Sequence, residues 1–199
     1  MEVQTLFLDA GGVLVFPNWE RVVDTLRRHG VEAAGQAMAE AEPRVRRELD
    51  TAVGIQTTTD RGRAEAYWDR ILDLAAVPRG AATREALAEL EAYHALHNLW
   101  ELVPEGAATA LGRCSEAGLR MAVVSNSNGT VRRKLARLGL SGFFATIVDS
   151  TEEGVEKPDP RIFHVALQRM GARAETTLPS MSLKGPSKST ATPRSRTGA

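Results

Sequence analysis

Short runs of apolar residues alternate with stretches of helical periodicity over the second half of the chain. One run ends at Ser125 and another spans residues 145–149, and each predicts a buried strand. Apolar residues three and four positions apart predict helices over residues 107–117, 130–138 and 160–170. A similar apolar run near the N-terminus, residues 6–8, predicts the first strand. Strands that alternate with helices form parallel sheets with right-handed crossovers, so the pattern predicts an α/β core of the Rossmann-like type.

Residues 18–100 carry helical periodicity without strand signals. A first helix is predicted from Trp19 to the stop signal at Gly30, and later ones over residues 61–74 and 83–99, with Thr83 as the N-cap of the last. The threonine-rich residues 54–60 are predicted to be a loop. We therefore expect a helical cap, residues 18–100, inserted into a core made of residues 1–17 and 101–178.

Residues 179–199 depart from both patterns. They are rich in serine, threonine, proline and basic residues, and they contain no acidic residue. Such a composition buries little apolar surface, so a disordered tail is predicted.

Composition limits the classes of partner. The chain has 199 residues, a formal net charge of zero and one cysteine. The charge gives no sign of a nucleic-acid surface, and no apolar run approaches the length that spans a bilayer. A single cysteine fits a reducing compartment, and the N-terminus lacks the pattern of a signal peptide, so a cytoplasmic protein is expected. The oligomeric state stays open.

The first predicted strand ends on a carboxylate. Asp9 is the only charged residue between Glu2 and Glu20, and Gly11 and Gly12 follow it. Ligands of open α/β sheets bind beyond the carboxyl ends of the strands, where a carboxylate can act as a nucleophile. The alternative is an ordinary aspartate that caps a turn. Asp149, at the end of the third strand, has two interpretations: it borders the site or it caps a turn.

Two later segments favour the catalytic interpretation. The second strand ends on Ser125 and Asn126, and Lys157 lies in a turn that Pro158 and the two residues after it make rigid. In this order and spacing the three segments resemble the haloacid dehalogenase-like hydrolase superfamily, in its helical-cap branch, over residues 3–178.

The resemblance implies a role for each of these residues. Asp9 would attack the substrate and form an aspartyl-enzyme intermediate, and Lys157 would neutralise the charge that develops. Ser125 and Asn126 would hold the attacked group, while the turn at Gly11 and Gly12 would let backbone N–H groups approach it. Mg²⁺ would bind Asp9 and the Gly11 carbonyl. The implied substrate is a small phosphorylated metabolite.

The sequence departs from the family pattern at two places. Phosphatases that resemble this chain carry a second aspartate, a general acid and base, at the position of Gly11. An acidic fourth motif that helps to hold Mg²⁺ is expected near residues 176–182, yet no carboxylate follows Glu175. The fourth and fifth strands of the family's sheet are also expected to be missing, which suggests a frameshifted or replaced C-terminus.

These departures keep two alternatives to a phosphatase open. The first is a metal-independent 2-haloacid dehalogenase, because a halide leaves without protonation. The second is a truncated family member without catalytic activity, which would expose one edge of its first strand.

Overall fold

The molecule consists of a parallel sheet flanked by helices and a separate group of helices. The computed structural model describes residues 2–49 and 60–180. In chain order the elements are β1 (Thr5–Leu8), β2 (Phe16–Pro17), α1 (Trp19–Arg28), α2 (Gly35–Leu49), α3 (Asp60–Leu74), α4 (Ala81–His97), β3 (Trp100–Leu102), α5 (Ala107–Glu116), β4 (Arg120–Ser125), α6 (Val131–Arg137), β5 (Thr146–Asp149), α7 (Ser150–Glu153), α8 (Arg161–Met170) and β6 (Thr177–Ser180). Single 3₁₀ turns precede β5 and β6.

The strands of the main sheet lie in the order β5-β4-β1-β6, and every neighbouring pair is parallel. Successive residues of β4 alternate between its two faces: Met121 and Val123 pack with α5 and α6, whereas Ala122 and Val124 pack with α8. Both faces are thus covered, which explains why β1 and β4 are apolar runs rather than alternating patterns. The predicted α/β core of the Rossmann-like type is confirmed.

The fourth strand of the sheet is present, contrary to the expectation from sequence. Thr177 to Ser180 pair with Thr5 to Leu8 of β1, and the predicted tail boundary at residue 179 therefore falls inside β6. Pro179 is compatible with this strand because β6 is the edge of the sheet within the described residues, and an edge strand needs fewer backbone donors. β1 is consequently paired on both sides. The rest of the predicted tail, residues 181–199, lies outside the described residues.

Helices α1–α4 enclose an apolar cluster of their own. Val22 and Leu26 of α1, Met38 and Val45 of α2 and Ile71 of α3 are fully buried in it. The predicted N-cap of the last helix is wrong: α4 begins at Ala81 after Gly80, and the Thr83 hydroxyl donates to the carbonyl of Pro78 instead. The predicted loop over residues 54–60 lies outside the described residues except for Asp60, which begins α3. Among the described helices, none is long and apolar enough to cross a membrane.

A short antiparallel ribbon joins the helical group to the sheet. Phe16 of β2 pairs with Leu102 of β3, and Pro17 pairs with Trp100. The Asn18 backbone N–H also donates to the carbonyl of Leu99. This ribbon was not predicted because its strands are too short to show a period. It fixes Trp100 next to the loop that follows β1, where it forms part of the candidate site.

Candidate active site

Asp9 lies directly after β1, at the carboxyl end of the sheet. Its Oδ1 accepts hydrogen bonds from its neighbour's backbone, Ala10 N at 2.8 Å, and from Ser125 Oγ at 3.0 Å. Its Oδ2 is 2.6 Å from the Nζ of Lys157. The Asp9 side chain is 32% exposed and that of Lys157 is 23% exposed, so the pair is partly desolvated but accessible. The structure thus brings together the three side chains that the sequence proposed for the chemistry.

Asn126 positions Lys157 instead of facing the carboxylate. Its Nδ2 donates to the carbonyl of Lys157 at 2.9 Å, and its Oδ1 accepts from the backbone N–H of Lys157 at 2.7 Å. Both polar atoms of the amide are therefore engaged by one residue. Asn126 thus fixes the loop that carries the lysine, and its expected role in holding the attacked group stays a prediction.

The loop after Asp9 offers fewer backbone donors than the sequence suggests. The Ala10 N–H bonds to Asp9, and the Gly12 N–H donates to the carbonyl of Val15 at 2.7 Å. Within the described part of the chain, the Gly11 N–H is the one N–H of residues 10–12 without a hydrogen bond. A single backbone N–H, together with Ser125 and Lys157, can therefore receive a negatively charged oxygen at this site.

An arginine from the helical group contacts this loop, a contact that was not predicted from the sequence. Arg46 of α2 donates from Nη1 to the carbonyl of Gly11 at 2.9 Å and forms an ion pair with Glu42. Gly12 has a φ of +71°, and the Arg46 guanidinium lies where a Cβ on Gly12 would be. The glycine is needed both for its backbone conformation and for this close approach. In the sequence, Glu42 and Arg46 look like an ordinary surface pair four residues apart.

Asp149, the other strand-ending aspartate, has a structural role. Its side chain is fully buried and accepts hydrogen bonds from the backbone N–H groups of Gly129, Val131 and Thr151, at 3.2, 3.3 and 3.1 Å. The capping interpretation is therefore the one that the structure supports. These bonds hold the loop between β4 and α6 against the end of β5.

A cavity of about 220 Å³ lies beside the Asp9 loop. Ala10 and Gly11 form one wall, and the residues that complete it come from the β4–α6 region and from the end of α4 with its following loop: His94, Asn98, Trp100, Ser125, Asn126, Ser127, Asn128 and Lys134. A cavity of this size accommodates only a small molecule, since pockets for larger ligands measure roughly 300–1,000 Å³.

Two ionisable side chains of the cavity have perturbed pKa values. Burial lowers the pKa of Lys134 to about 8, although the nearby carboxylates of Asp149, Asp9 and Glu101 oppose this shift. Burial also lowers the pKa of His94, and the charge of Lys134 adds to the effect. Lys134 was not predicted as a site residue, because in the sequence it looks like part of the basic run beside Arg133. Its spacing from Val131 and Leu135, two buried positions of α6, was the signal that could have found it.

The residues around Asp9 do not form a site suited to Mg²⁺. This ion prefers six oxygen ligands in octahedral geometry, and the expected donors were Asp9 and the Gly11 carbonyl. Lys157 and Ser125 already bind the oxygens of Asp9, and Arg46 binds the Gly11 carbonyl. In residues 2–49 and 60–180, no group of three or more His, Cys, Asp or Glu side chains could hold a metal ion. A cationic side chain thus binds each of the two groups that were expected to hold the ion.

The fold and the site together define a class of protein. A parallel sheet with helices inserted after its first strand, an aspartate and a serine at its strand ends and a lysine on a nearby loop is the arrangement of haloacid dehalogenase-like proteins. A family model described as haloacid dehalogenase-like hydrolase matches residues 3–178. The chain belongs to this family, whose hydrolases generally use Mg²⁺.

Individual relatives match over shorter regions. The chain is 38% identical over 114 residues to haloacid dehalogenase-like hydrolase domain-containing protein 3 of Mus musculus. The matched region is 55% of this chain and 45% of that protein. The chain is 46% identical over 63 residues to glyceraldehyde 3-phosphate phosphatase of Methanothermobacter thermautotrophicus, with coverages of 31% and 27%. The matches thus span less than half the length of either relative.

A solved structure extends the likeness of the fold to nearly the whole chain. The HAD-hydrolase YfnB from Bacillus subtilis, determined bound to magnesium, is similar with a TM-score of 0.61 and 17% sequence identity. The superposition covers 90% of this chain and 78% of that one. At this identity the likeness shows the fold alone.

Proposed function

We propose that this hydrolase is a phosphatase that acts through an aspartyl-phosphate at Asp9, on small substrates with good leaving groups. The observation that carries the proposal is the Asp9 carboxylate held between Ser125 Oγ at 3.0 Å and Lys157 Nζ at 2.6 Å. An oriented carboxylate beside a fixed ammonium can attack a phosphoryl group while the ammonium offsets the charge on the transferred oxygens. The phosphatase name of one relative supports the choice of phosphorus as the electrophile.

The reaction needs two steps at the same phosphorus atom. An Asp9 carboxylate oxygen attacks phosphorus, the bond to the leaving oxygen breaks, and the leaving group departs with the electron pair. Water then attacks the aspartyl-phosphate, which releases inorganic phosphate and restores the carboxylate. Ser125 Oγ, the Gly11 N–H and Lys157 Nζ are the donors placed to bind the phosphoryl oxygens.

The leaving group is constrained by Gly11. No carboxylic acid stands at that position, so an alkoxide would leave without a proton, and general acid catalysis is worth about 10²–10⁴ in rate. A carboxylate leaving group, as in an acyl phosphate, needs no proton. We therefore place acyl phosphates above alkyl phosphates in the proposed substrate range.

The test is hydrolysis of acetyl phosphate and p-nitrophenyl phosphate by the wild-type chain. Turnover supports the proposal if it is lost when Asp9 is changed to Asn and if ¹⁸O from labelled water enters the phosphate. Absence of turnover on both substrates in a folded, monodisperse sample would contradict it. That outcome would favour a 2-haloacid dehalogenase or a family member without activity.

We expect the activity to persist without divalent metal, because Arg46 binds the Gly11 carbonyl and Lys157 binds Asp9, the two groups expected to hold the ion. Acetyl phosphate turnover in an excess of EDTA should stay within about twofold of the value with added Mg²⁺. The measurement is the initial rate in both buffers after exhaustive dialysis against chelator. A rate that is restored only by Mg²⁺ would contradict this expectation and show that the site binds the metal.

A second candidate, hydrolysis of 2-haloacids, is favoured by the same Gly11. A halide leaves without a proton, and Asp9 would then attack carbon and form an ester that water opens at the carboxyl carbon. The assay is chloride release from both enantiomers of 2-chloropropionate. In a single turnover in ¹⁸O-labelled water, this chemistry labels the Asp9 carboxylate, whereas attack of water at phosphorus leaves it unlabelled.

Changing Gly11 to Asp should extend the substrate range to poor leaving groups. A Cβ on Gly11 would lie 3.7 Å from the nearest ring atom of Trp100, which is ordinary van der Waals contact, so the side chain can be accommodated. We expect kcat/KM for glycerol phosphate to rise by about tenfold or more, within the range of general acid catalysis, with little change for acetyl phosphate. The measurement is a comparison of both substrates.

The matched control for this variant is Gly11→Asn, which has nearly the same shape but no ionisable proton. If the asparagine variant gains as much as the aspartate variant, the gain comes from packing against Trp100. A gain in kcat/KM for glycerol phosphate that is seen only in Gly11→Asp would identify the missing acid as the cause of the narrow substrate range of the wild type.

A further inference from the structure

The wall of the cavity beside Asp9 contains a lysine that nothing in the proposed chemistry uses. Lys134 of α6 is 4% exposed and lines the cavity. Among the described residues its ammonium makes no hydrogen bond and no ion pair within 4.0 Å. Burying a charge without a partner is costly, and lysine is rarely buried in this way. A lysine kept in such a place is suited to binding an anion that enters the cavity.

The charged groups around Lys134 do not supply this partner. Asp149 is engaged by three backbone N–H groups, and Asp9 is paired with Lys157. Glu101 of β3 is paired with Arg21 and also lies 3.6 Å from Arg137, the other cation near Lys134. His94 of α4 faces the lysine and has a lowered pKa. The lysine keeps most of its charge at pH 7, since its own pKa is lowered only to about 8.

Two further donors belong to the same cavity. Ser127 Oγ is buried and has no hydrogen-bond partner within the described chain, although the residue lines the cavity. The His94 Nδ1 accepts from the backbone N–H of Leu99 at 3.2 Å, so the proton of the neutral ring is on Nε2. Buried hydroxyl groups are nearly always hydrogen-bonded, so the Ser127 hydroxyl is free to bind a water molecule or a ligand.

The amide side chains of Asn98 and Asn128 in the cavity wall already have hydrogen-bond partners. Asn98 Nδ2 donates to Asn128 Oδ1 and to Thr130 Oγ1, both at 3.2 Å, and Asn98 Oδ1 accepts from the Trp100 backbone. Asn128 Nδ2 donates to the carbonyl of His94. The groups left to bind a ligand are therefore hydrogen-bond donors.

We propose that Lys134 and Ser127 bind a carboxylate on the substrate while its reacting group lies at Asp9. The substrate is then a small organic acid that carries its phosphoryl group a few bonds from the carboxylate. One ammonium and one hydroxyl match the two oxygens of a carboxylate. This proposal rests on the proposed function, because it places the reacting group at Asp9.

The test compares two compounds that differ only in the carboxylate. Carboxymethyl phosphate has a carboxylate where ethyl phosphate has a methyl group, and both are measured by calorimetry and as competitive inhibitors of acetyl phosphate hydrolysis. The wild type should bind carboxymethyl phosphate at least about tenfold more tightly, the range expected for one charge-assisted hydrogen bond. In Lys134→Met this ratio should fall to near one, and in Ser127→Ala it should fall by several-fold.

The control is Arg133→Met, which removes an exposed cation from the neighbouring position of the same helix and should leave the ratio unchanged. Equal binding of the two compounds by the wild type would overturn the proposal even if acetyl phosphate is hydrolysed. A carboxylate preference seen by calorimetry without any hydrolysis would support the binding site and reject the proposed function.

A stability measurement separates binding from a structural role of the lysine. Burial lowers the pKa of Lys134 from 10.5 to about 8, so between these pH values the unfolded chain binds more protons than the folded chain. The free energy of unfolding of the wild type should therefore rise with pH across this window. Lys134→Met lacks this term. It should unfold at a higher temperature than the wild type at pH 7, with a smaller advantage at pH 10. A lower unfolding temperature at pH 7 would show that the lysine supports the fold and would contradict the proposal.

Discussion

Replacing Asp9 with asparagine is expected to reduce the hydrolysis of acetyl phosphate by at least about 10³-fold, because the loss of a nucleophile is among the largest single effects seen in enzymes. The amide has nearly the shape of the carboxylate but lacks the anionic oxygen that attacks phosphorus. It also no longer balances the charge of Lys157, whose Nζ lies 2.6 Å from Asp9 Oδ2. The measurement is kcat/KM for the wild type and the variant under identical conditions.

The same variant should bind inorganic phosphate more tightly than the wild type. Removal of the carboxylate charge eliminates repulsion with the anion and frees the Lys157 ammonium to pair with it. Tighter phosphate binding together with lost turnover would show that the site is intact and only the nucleophile is missing. Lost turnover with weaker phosphate binding would indicate a damaged site, and turnover above a tenth of the wild type would exclude Asp9 as the nucleophile.

The chemistry-bearing residues could be predicted because they follow local signals. β1 and β4 are buried on both faces and read as apolar runs, and the polar residue that ends each run lies at the same edge of a parallel sheet. Asp9 and Ser125 come together for this reason. Lys157 reaches the site from a loop, and its placement came from the resemblance to a family rather than from any period in the sequence.

The C-terminal strand, β6, was not predicted because its own residues carry no strand pattern. Thr177 to Ser180 contain a proline and precede a polar segment, so their composition is that of a tail. The strand forms because β1 offers an unpaired edge whose backbone groups need partners, and this requirement is set by residues far away in sequence. Pairing of β6 also removes the exposed edge of β1 that would have favoured an aggregating, inactive protein.

The side chains that modify the site could not be found from sequence for a related reason. Arg46, Asn126 and Lys134 each belong to residue types that are usually solvated, and each acquires its role from a contact with another part of the chain. Arg46 reaches Gly11 across 35 positions, and Asn126 reaches Lys157 across 31. Only the helical phase of Lys134 gave a local hint of burial.

Replacing Lys157 with methionine is expected to reduce kcat/KM for acetyl phosphate by about 10²–10³-fold, which is the usual cost of removing one preorganised charge or donor at a developing oxyanion. The Lys157 ammonium binds Asp9, and the backbone of Lys157 is fixed by two hydrogen bonds with the Asn126 side chain. Such a fixed charge offsets the charge of the phosphoryl oxygens without rearranging during the reaction. The measurement is kcat and KM separately, since a group that acts in the transition state should lower kcat.

Two comparisons distinguish a catalytic charge from general electrostatics. Arg161→Met removes an exposed cation four residues further along the chain than Lys157, whose guanidinium pairs with Asp159, and it should leave kcat/KM within about twofold of the wild type. Asn126→Ala keeps the ammonium but releases the backbone of its loop, so its loss should be smaller than that of Lys157→Met. An equal loss from Arg161→Met would show that net positive charge alone attracts the substrate. A loss from Asn126→Ala as large as that from Lys157→Met, with the fold retained, would show that the position of the ammonium matters as much as its presence.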